Sequence, residues 1–239
     1  MSEDTTTNVH VAIAELARRL HAADDRPAEA VLGDVVGGAI DHVPGAEAAS
    51  ISITHGRHAL TTEFSTDPLA TRHNEIQTAH GEGPCLAAAW DEAVVRIDDL
   101  WEDDRWPGYA ADARNAVPFR SILSFRLYTA DEKLGTLTLY SRTPDNFGTD
   151  VEEIGLVYAA HVANAWMARE RKSQFTSALA SRDIIGQAKG MIMERFGIDA
   201  VQAFELLRRL SQDGNVKLAE LARQLVETDH PAREESSRS

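Results

Sequence analysis

The stretch 184–225 constrains the fold most strongly, because turn signals divide it into three short helical segments. Apolar residues recur at helical spacing up to Gly197, a residue typical of a helix end. Asp199 then predicts the start of a second helix, and Gln202, three positions later, completes a capping box. The stretch therefore predicts a small all-α bundle, an arrangement typical of a recognition module rather than of an enzyme.

A second turn precedes the third helix of this bundle. Gly214 is expected to end the second helix, and Asn215 is expected to cap the third. Each helix then presents one apolar face to the bundle core. The residues expected on these faces are Ile184, Ile185, Ala188, Met191, Ile192 and Phe196, then Val201, Phe204, Leu207 and Leu210, and finally Leu218, Leu221, Ala222 and Leu225.

Two glycines lie inside the first helix of the bundle, at Gly186 and Gly190. Residues four apart share one face of a helix, and each glycine there costs about 1 kcal/mol of helix stability relative to alanine. Packing of a neighbouring helix of the same chain is one explanation for them. Close approach of a nucleic-acid backbone is the other, and the sequence leaves both open.

The run IGQAKGMIMERFGIDAVQAFELLRR, followed by NVKLAELA, closely resembles the ANTAR domain. That domain is the RNA-binding output module of the AmiR and NasR transcription antitermination regulators. The resemblance covers roughly residues 175–227. It implies a dimer that binds a pair of RNA stem-loops in a nascent transcript and prevents an overlapping terminator hairpin from forming.

The same resemblance implies an RNA-binding surface with contributions from all three helices. Without it, Arg208 and Arg209 are expected to pair with Glu205 on the helix surface. With it, the basic residues become contacts for phosphates or loop bases. One departure is Ala219, which stands where relatives often have a basic residue, so one phosphate contact is missing. The implied RNA-binding residues are Ala188, Lys189, Gly190, Arg208, Arg209, Asn215 and Lys217.

The first 148 residues follow a different pattern. Short alternating segments separated by polar turns predict an antiparallel sheet, and two helical repeats precede them. This part is therefore α+β, with a loop-rich middle. The helical repeats lie at 9–21 and 28–43, and the strand patterns lie at 49–54, 59–65, 93–97, 121–129 and 134–141, with a turn at 130–133.

Three runs in this region are similar to a GAF domain, a sensory fold with an antiparallel sheet and flanking helices. They are HGEGPCLAA at 80–88, VRIDDLWEDDRWP at 95–107 and FRSILSFRLYTADEKLGTLTLYS at 119–141. The similarity extends over roughly residues 10–165 and is strongest to GAF domains that precede ANTAR domains. It implies a small-molecule, gas, redox or partner signal without identifying which.

A long helix is predicted between these two parts, with an apolar stripe that includes Ile154, Tyr158 and Val162. Such a stripe forms either a dimer seam or a surface that packs back on the sheet, and we favour a homodimer through the 149–180 helix. A polar run at 169–174 interrupts the stripe. The predicted regions are 1–148, a GAF-like sensor; 149–174, a linking helix; 175–229, an ANTAR-like three-helix bundle; and 230–239, a disordered tail.

The charge of the chain is unevenly divided. Residues 1–175 carry 15 Lys and Arg against 28 Asp and Glu, whereas residues 176–229 carry 7 against 8. General attraction to phosphate backbones requires clustered cations, so only the C-terminal part is suited to nucleic acid. The single cysteine, the absence of a long apolar run and the polar N-terminus predict a cytoplasmic protein without a membrane partner.

Candidate reactive residues in the first part do not form a recognised catalytic or metal motif. Cys85 is expected to be a buried small residue rather than a redox sensor. His55, His58, His73 and His80 lack metal-ligand spacing and are expected to be solvated loop residues. No Walker loop, nucleophile elbow or HExxH motif occurs. We therefore predict a regulator that is not an enzyme and that has no metal or cofactor.

Two other function classes remain open from the residues. A DNA-binding regulator would read bases from the start of its recognition helix, where Val201, Gln202 and Ala203 are poor readers. A sensory module that binds only protein would show no nucleic-acid binding. The sequence favours a signal-responsive RNA-binding antitermination regulator over both.

Overall fold

A computed structural model describes residues 28–128 and 135–229. The chain divides into two compact units after Arg169. The helix predicted at 9–21, the turn at 130–133 and the tail at 230–239 lie outside the described residues. None of the helices in the described residues is long and apolar enough to cross a lipid bilayer.

The first unit is built on a five-stranded antiparallel sheet in the order β2-β1-β5-β4-β3. All the strands predicted from alternation are present, which confirms the α+β class. The strands are β1 Ala48–Thr54, β2 Leu60–Ser65, β3 Val94–Ile97, β4 Ser121–Leu127 and β5 Gly135–Ser141, and the helices are α1 Ala28–His42, α2 Pro68–His80, α3 Pro84–Trp90 and α4 Pro107–Ala116.

One face of the sheet is apolar. Alternate residues of a strand share a face, which places Leu123 and Phe125 of β4 beside Leu137 and Leu139 of β5. These side chains form one buried cluster with α1 and with residues 151–166, which belong to the helix that follows β5. This cluster is the main hydrophobic core of the first unit.

The other face is apolar at one end and polar at the other. Ile122 and Tyr140 pack with α2 and α4 at the apolar end. The polar end carries five fully buried hydroxyl side chains, which belong to Ser50, Ser52, Ser124, Thr136 and Thr138. Buried hydroxyl groups require hydrogen-bond partners, and α2 and α3 supply several of them.

The middle of the first unit is more helical than its sequence predicts. Helix α2 occupies a region expected to be a loop, and Asp67 caps its start by accepting a hydrogen bond from the Leu69 N–H at 2.8 Å. Pro68 fits the first helical position, and Gly81 ends the helix with φ 67°. The expectation of a loop-rich middle is therefore wrong, because α2, α3 and α4 all lie there.

Helix α5, Thr149–Phe196, is a single helix of 48 residues, and the polar run at 169–174 does not interrupt it. The stripe residues Ile154, Tyr158 and Val162 are buried in the core of the first unit. They pack back on the sheet, so the prediction that these residues form a dimer seam is wrong. Residues 171–180 of the same helix are all exposed.

The second unit contains the end of α5, α6 Ala200–Asp213 and α7 Leu218–Asp229. Asp199 caps α6 by accepting from the N–H groups of Val201 and Gln202, each at 2.9 Å, and the Gln202 side chain accepts from the Asp199 N–H at 3.2 Å. The predicted capping box is confirmed. Five residues form the buried centre of this bundle: Ala188, Ile192, Ala203, Leu207 and Ala222.

The buried face of α6 differs from the predicted one. Ala203 and Leu207, four residues apart, are fully buried, whereas Val201, Phe204 and Leu210 are exposed. Positions three apart drift by about 60° per step around a helix, so the row from Val201 to Leu210 cannot all face one core. Phe196, also predicted to be buried, is 60% exposed.

The turn between α6 and α7 also corrects a prediction. Asn215 has φ 49°, and its N–H donates to the Gln212 carbonyl while the Val216 N–H donates to the Ser211 carbonyl. These two bonds form a Schellman motif that ends α6. Asn215 therefore terminates α6 and does not cap α7, which begins three residues later.

Candidate nucleic-acid interface

The exposed side of α5 in the second unit carries Gly186, Gly190 and Lys189. Apart from the nearby backbone of the helix itself, no atom of the described residues lies within 4 Å of the position that a Cβ atom would occupy on either glycine. Packing against the described part of the chain therefore does not explain these glycines. Lys189 is half-buried and is a neighbour of Gly186 at i+3 spacing, so a cation borders a helix surface open to a closely approaching backbone.

Ala188 belongs to the same motif but is not on this surface. Its side chain is fully buried and packs in the bundle core with Ala203 and Leu207. It has no exposed surface in this position. The resemblance-based assignment of Ala188 as an RNA contact therefore does not agree with the structure, which gives it a packing role.

Arg208 and Arg209 are exposed on α6. Arg208 donates from Nε and Nη2 to one carboxylate oxygen of Glu205, with an Nη2 distance of 2.7 Å. This bond holds the pKa of the Glu205 carboxylate below its ordinary value, and the charge of Arg209 lowers it further. Both side chains of this ion pair are exposed, so the pair contributes little to stability. A phosphate of a ligand can therefore replace Glu205 as the partner of Arg208.

The remaining implied contacts lie in the turn after α6. Asn215 and Lys217 are both exposed there. Among the described residues, Lys189, Arg209 and Lys217 form no ion pair. No hydrogen bond in the described part of the chain links the α5 members of the set to the others. The structure therefore shows a set of basic residues, exposed except for the half-buried Lys189, distributed over three elements and not a preformed network.

A row of exposed side chains on α6 was missed by the sequence reasoning. Phe204 is 39% exposed and Val201 is 73% exposed, and their spacing places them on the same side of the helix as Arg208. The sequence does carry a signal for this exposed row, because Ala203 and Leu207, four residues apart, define the buried side of the helix. An aromatic ring beside an arginine suits unstacked bases.

A separate apolar surface lies elsewhere on the bundle. An open groove of about 470 Å³ is lined by residues of all three helices. Neither arginine of α6 lines it, so the basic and apolar surfaces of α6 are distinct. The lining residues are Ala188, Met191, Ile192, Arg195, Phe196, Leu206, Leu210, Leu225 and Thr228.

The first unit holds a buried polar network beneath α2. His73 is fully buried, and burial lowers the pKa of its imidazole to about 3. The Gln77 amide nitrogen lies 3.2 Å from Nδ1 of the ring, and Nε2 is hydrogen-bonded to the Tyr109 hydroxyl. His73 was expected to be a solvated loop residue, and that expectation is wrong.

Cys85 lies at the centre of the same network. It is fully buried, as expected, but its contacts are polar: Gln77 donates to Sγ at 3.1 Å, and the Thr138 hydroxyl lies at 3.2 Å. Burial raises the pKa of the thiol, so Cys85 is neutral at physiological pH. Gly83 has φ 138°, and a Cβ there would lie 2.6 Å from the Gln77 side chain, which explains the glycine of the GPC motif.

The other histidines of this region lie on the surface or in an ion pair. His55 and His58 are exposed near the β1–β2 turn, and His80 pairs with Asp112 at 2.8 Å. In residues 28–128 and 135–229, no group of three His, Cys, Asp or Glu side chains is arranged to hold a metal ion.

Three solved structures show the fold of the first unit. The GAF domain of a phosphoenolpyruvate-protein phosphotransferase from Coxiella burnetii is 18% identical, with a TM-score of 0.53 over 70% of this chain and 98% of that one. The A. aeolicus nlh2 GAF domain is 14% identical, with a TM-score of 0.51 over 69% and 99%. A free methionine-R-sulfoxide reductase from Neisseria meningitidis is 12% identical, with a TM-score of 0.50 over 72% and 95%.

Family models assign both parts of the sequence. A GAF domain model matches residues 25–167, and an ANTAR domain model matches residues 173–226. A search of curated proteins finds no match to this chain. The chain belongs to the GAF family and carries an ANTAR domain directly after its GAF domain.

Proposed function

We propose that this protein is a signal-responsive regulator that binds RNA stem-loops through its ANTAR domain and promotes transcription antitermination. Its GAF domain acts as the sensor, and neither domain acts as an enzyme. In this mechanism, a dimer holds two bundles that bind paired stem-loops, so that the overlapping terminator hairpin does not form.

The observation that carries the proposal is the open glycine face of α5. Gly186 and Gly190 each destabilise the helix by about 1 kcal/mol relative to alanine, and no side chain of the described residues packs where their Cβ atoms would be. A partner backbone that comes close to the helix accounts for this cost. Lys189 beside them favours a partner with a phosphate backbone.

The distribution of charge supports a selective contact. The net charge is −1 over residues 176–229 and −13 over residues 1–175, so no general field draws the protein to nucleic acid. Binding must rest on a few placed cations and on shape. RNA loops, with splayed bases and bent backbones, are recognised in this way.

Fluorescence anisotropy with the full chain and a labelled RNA of two stem-loops tests the proposal. A scrambled RNA and a duplex DNA of matching sequence serve as competitors. The double variant Lys189→Ala with Arg208→Ala is expected to weaken stem-loop binding about a hundredfold and to reduce the salt slope by about 1.5.

The chain offers a matched control for Arg208. Arg223 on α7 pairs with Glu220 at 2.7 Å with 51% and 46% exposure, and Arg208 pairs with Glu205 at 2.7 Å with 49% and 43%. Arg223→Ala should leave RNA binding unchanged. An equal loss of RNA affinity in Arg223→Ala and in the double variant would show that only the net charge of the protein matters. Tighter binding to the duplex DNA than to the stem-loops would favour the DNA-binding alternative. No binding to any of these nucleic acids would favour a module that binds only protein.

The dimer is proposed through the exposed part of α5. Phe175 is 72% exposed and Leu179 is 49% exposed, and their i, i+4 spacing places them on one face of the helix. Burying such a pair against a second copy removes apolar surface from water. Phe175→Glu with Leu179→Glu should therefore convert a dimer to a monomer in sedimentation equilibrium. An unchanged mass would place any dimer contact elsewhere.

A further inference from the structure

Two buried polar atoms in the first unit have no hydrogen-bond partner. They are Nη2 of Arg126 and Oγ1 of Thr136, and they are the only such side-chain nitrogen or oxygen atoms in the described part of the chain. Buried polar groups are nearly always paired in folded proteins, because an unpaired one loses its hydration without compensation. Two unpaired groups together therefore require an explanation.

The two atoms belong to residues that face each other across the sheet. Arg126 of β4 is directly opposite Thr136 of β5 in the antiparallel register. Directly opposite residues share a face of the sheet, with Cβ atoms about 5 Å apart. Both groups carry an available proton, from a guanidinium N–H and from a hydroxyl, so one acceptor between the strands can satisfy both.

The charge of Arg126 defines the ligand further. Its Nε donates to the Ala88 carbonyl at 2.9 Å, and its Nη1 is 3.5 Å from the Tyr128 hydroxyl. None of the ion pairs in residues 28–128 and 135–229 includes Arg126. A partly buried cation without a carboxylate attracts an anion, and a single cation neutralises a single negative charge.

The surroundings of the two atoms are polar and uncharged. Ser52 is the other cross-strand neighbour of Thr136, and Ser124 and Thr138 form the next pair along the same two strands. The Cys85 thiol lies close to the Thr136 hydroxyl but outside hydrogen-bonding geometry. No carboxylate is among the buried polar residues described.

We infer that Arg126 and Thr136 form a binding site for a small monoanionic carboxylate, which is a candidate input signal of the GAF domain. The Arg126 guanidinium and the Thr136 hydroxyl donate to the two carboxylate oxygens. The Arg126 guanidinium carbon also lies 5.7 Å from the centre of the Tyr128 ring, and Tyr128 is 62% exposed, so this ring borders the site. The site does not depend on the proposed RNA binding.

Isothermal titration calorimetry of the full chain with sodium acetate tests this site, with ionic strength held constant by chloride. Saturable binding at one site is expected, and sodium sulfate, a dianion, should not compete. Arg126→Gln and Thr136→Val should each weaken acetate binding about tenfold or more, since each removes a hydrogen bond to a charged group. Absence of acetate binding to the unaltered chain would overturn the inference.

The melting temperature of Thr136→Val and one control variant separate binding from folding. Thr136→Val keeps the side-chain shape and removes the unpaired hydroxyl, so the first unit should melt at a higher temperature while acetate binding is lost. A purely structural role for Thr136 predicts lower stability and unchanged binding. Arg57→Gln is the matched control, because Arg57 also lies over an aromatic ring, that of Trp90, but is already paired with Asp91. Loss of acetate binding in Arg57→Gln would equally overturn the inference.

Discussion

The two halves of helix α5 use glycine in opposite ways. In the first half, a Cβ on Gly155 would lie 2.2 Å from Cζ of Phe125, a residue of the apolar sheet face. In the second half, a Cβ on Gly186 or Gly190 would meet no atom of the described residues within 4 Å, apart from the nearby backbone of the helix itself. The same residue type in one helix thus permits tight packing at one end and leaves an open surface at the other.

This difference indicates which half of α5 serves the fold and which serves a partner. Glycine in a helix lowers stability, and in the first half the contact between the helix and Phe125 compensates for that cost. In the second half, no side chain of the described residues packs where a Cβ atom would be, so nothing there compensates. The proposed RNA contact would account for the exposed glycines.

The largest effect is expected at Gly155. Gly155→Ala forces a methyl group into the space of the Phe125 ring and should destabilise the first unit by about 3 kcal/mol. Urea unfolding followed by tryptophan fluorescence measures this change, because Trp90, Trp101, Trp106 and Trp166 all lie in the first unit. A change below about 0.5 kcal/mol would mean that the helix does not pack closely on the sheet.

A pH-dependent effect is expected from the buried interior of the first unit. The folded-state pKa of His73, about 3, lies below the ordinary 6.5, so between these values the unfolded chain binds a proton that the folded chain does not. Stability from this group is therefore full above pH 6.5 and is lost as the pH falls. From pH 7 to pH 5, the loss should be about 2 kcal/mol.

The variant His73→Gln isolates this contribution, because it keeps a polar side chain that does not titrate in this range. Urea unfolding at pH 7 and pH 5, again followed by tryptophan fluorescence, compares the two proteins. The decrease in the free energy of unfolding from pH 7 to pH 5 should be smaller in the variant by about 2 kcal/mol. Equal losses would show that His73 is solvated in the folded protein, as its sequence context suggested.

The exposed glycines should behave in the opposite way to Gly155. Gly186→Ala and Gly190→Ala should each stabilise the second unit by about 1 kcal/mol, measured by circular dichroism at 222 nm, while weakening stem-loop binding about tenfold. Ser177→Ala, at another exposed position of α5, is the control and should leave RNA binding unchanged. If the glycine variants bound RNA as tightly as the unaltered chain, the open face would not be the contact.

Local patterns in the sequence predicted the elements whose ends carry their own signals. The five strands follow from alternation, and the start of α6 follows from Asp199 and Gln202. Helix α2 was missed because most of its inward side is polar: His73, Asn74 and Gln77 are buried there with only Ala70 and Ile76. Its caps at Asp67 and Gly81 were visible, but a polar helix face carries no periodic apolar signal.

The interface could be predicted only in part, for a related reason. Motif resemblance gave the basic residues, but it could not distinguish Ala188, which packs inside, from Gly190, which is exposed. The unpaired atoms of Arg126 and Thr136 depend on strand register, because residues ten apart in sequence become neighbours only across β4 and β5. Such juxtapositions are set by tertiary structure and leave no pattern in the chain.

The smallest expected effect concerns the competition for Arg208. Glu205 accepts two hydrogen bonds from this arginine, and an RNA phosphate must compete with that carboxylate. Glu205→Gln removes the negative charge, so stem-loop affinity should rise about threefold at low salt, and the gain should shrink as salt is added. Glu220→Gln, which alters the equivalent pair on α7, should change affinity little. A loss of affinity in Glu205→Gln would instead show that the carboxylate positions Arg208 for RNA, and the exposed pair would then be part of the interface rather than a competitor for it.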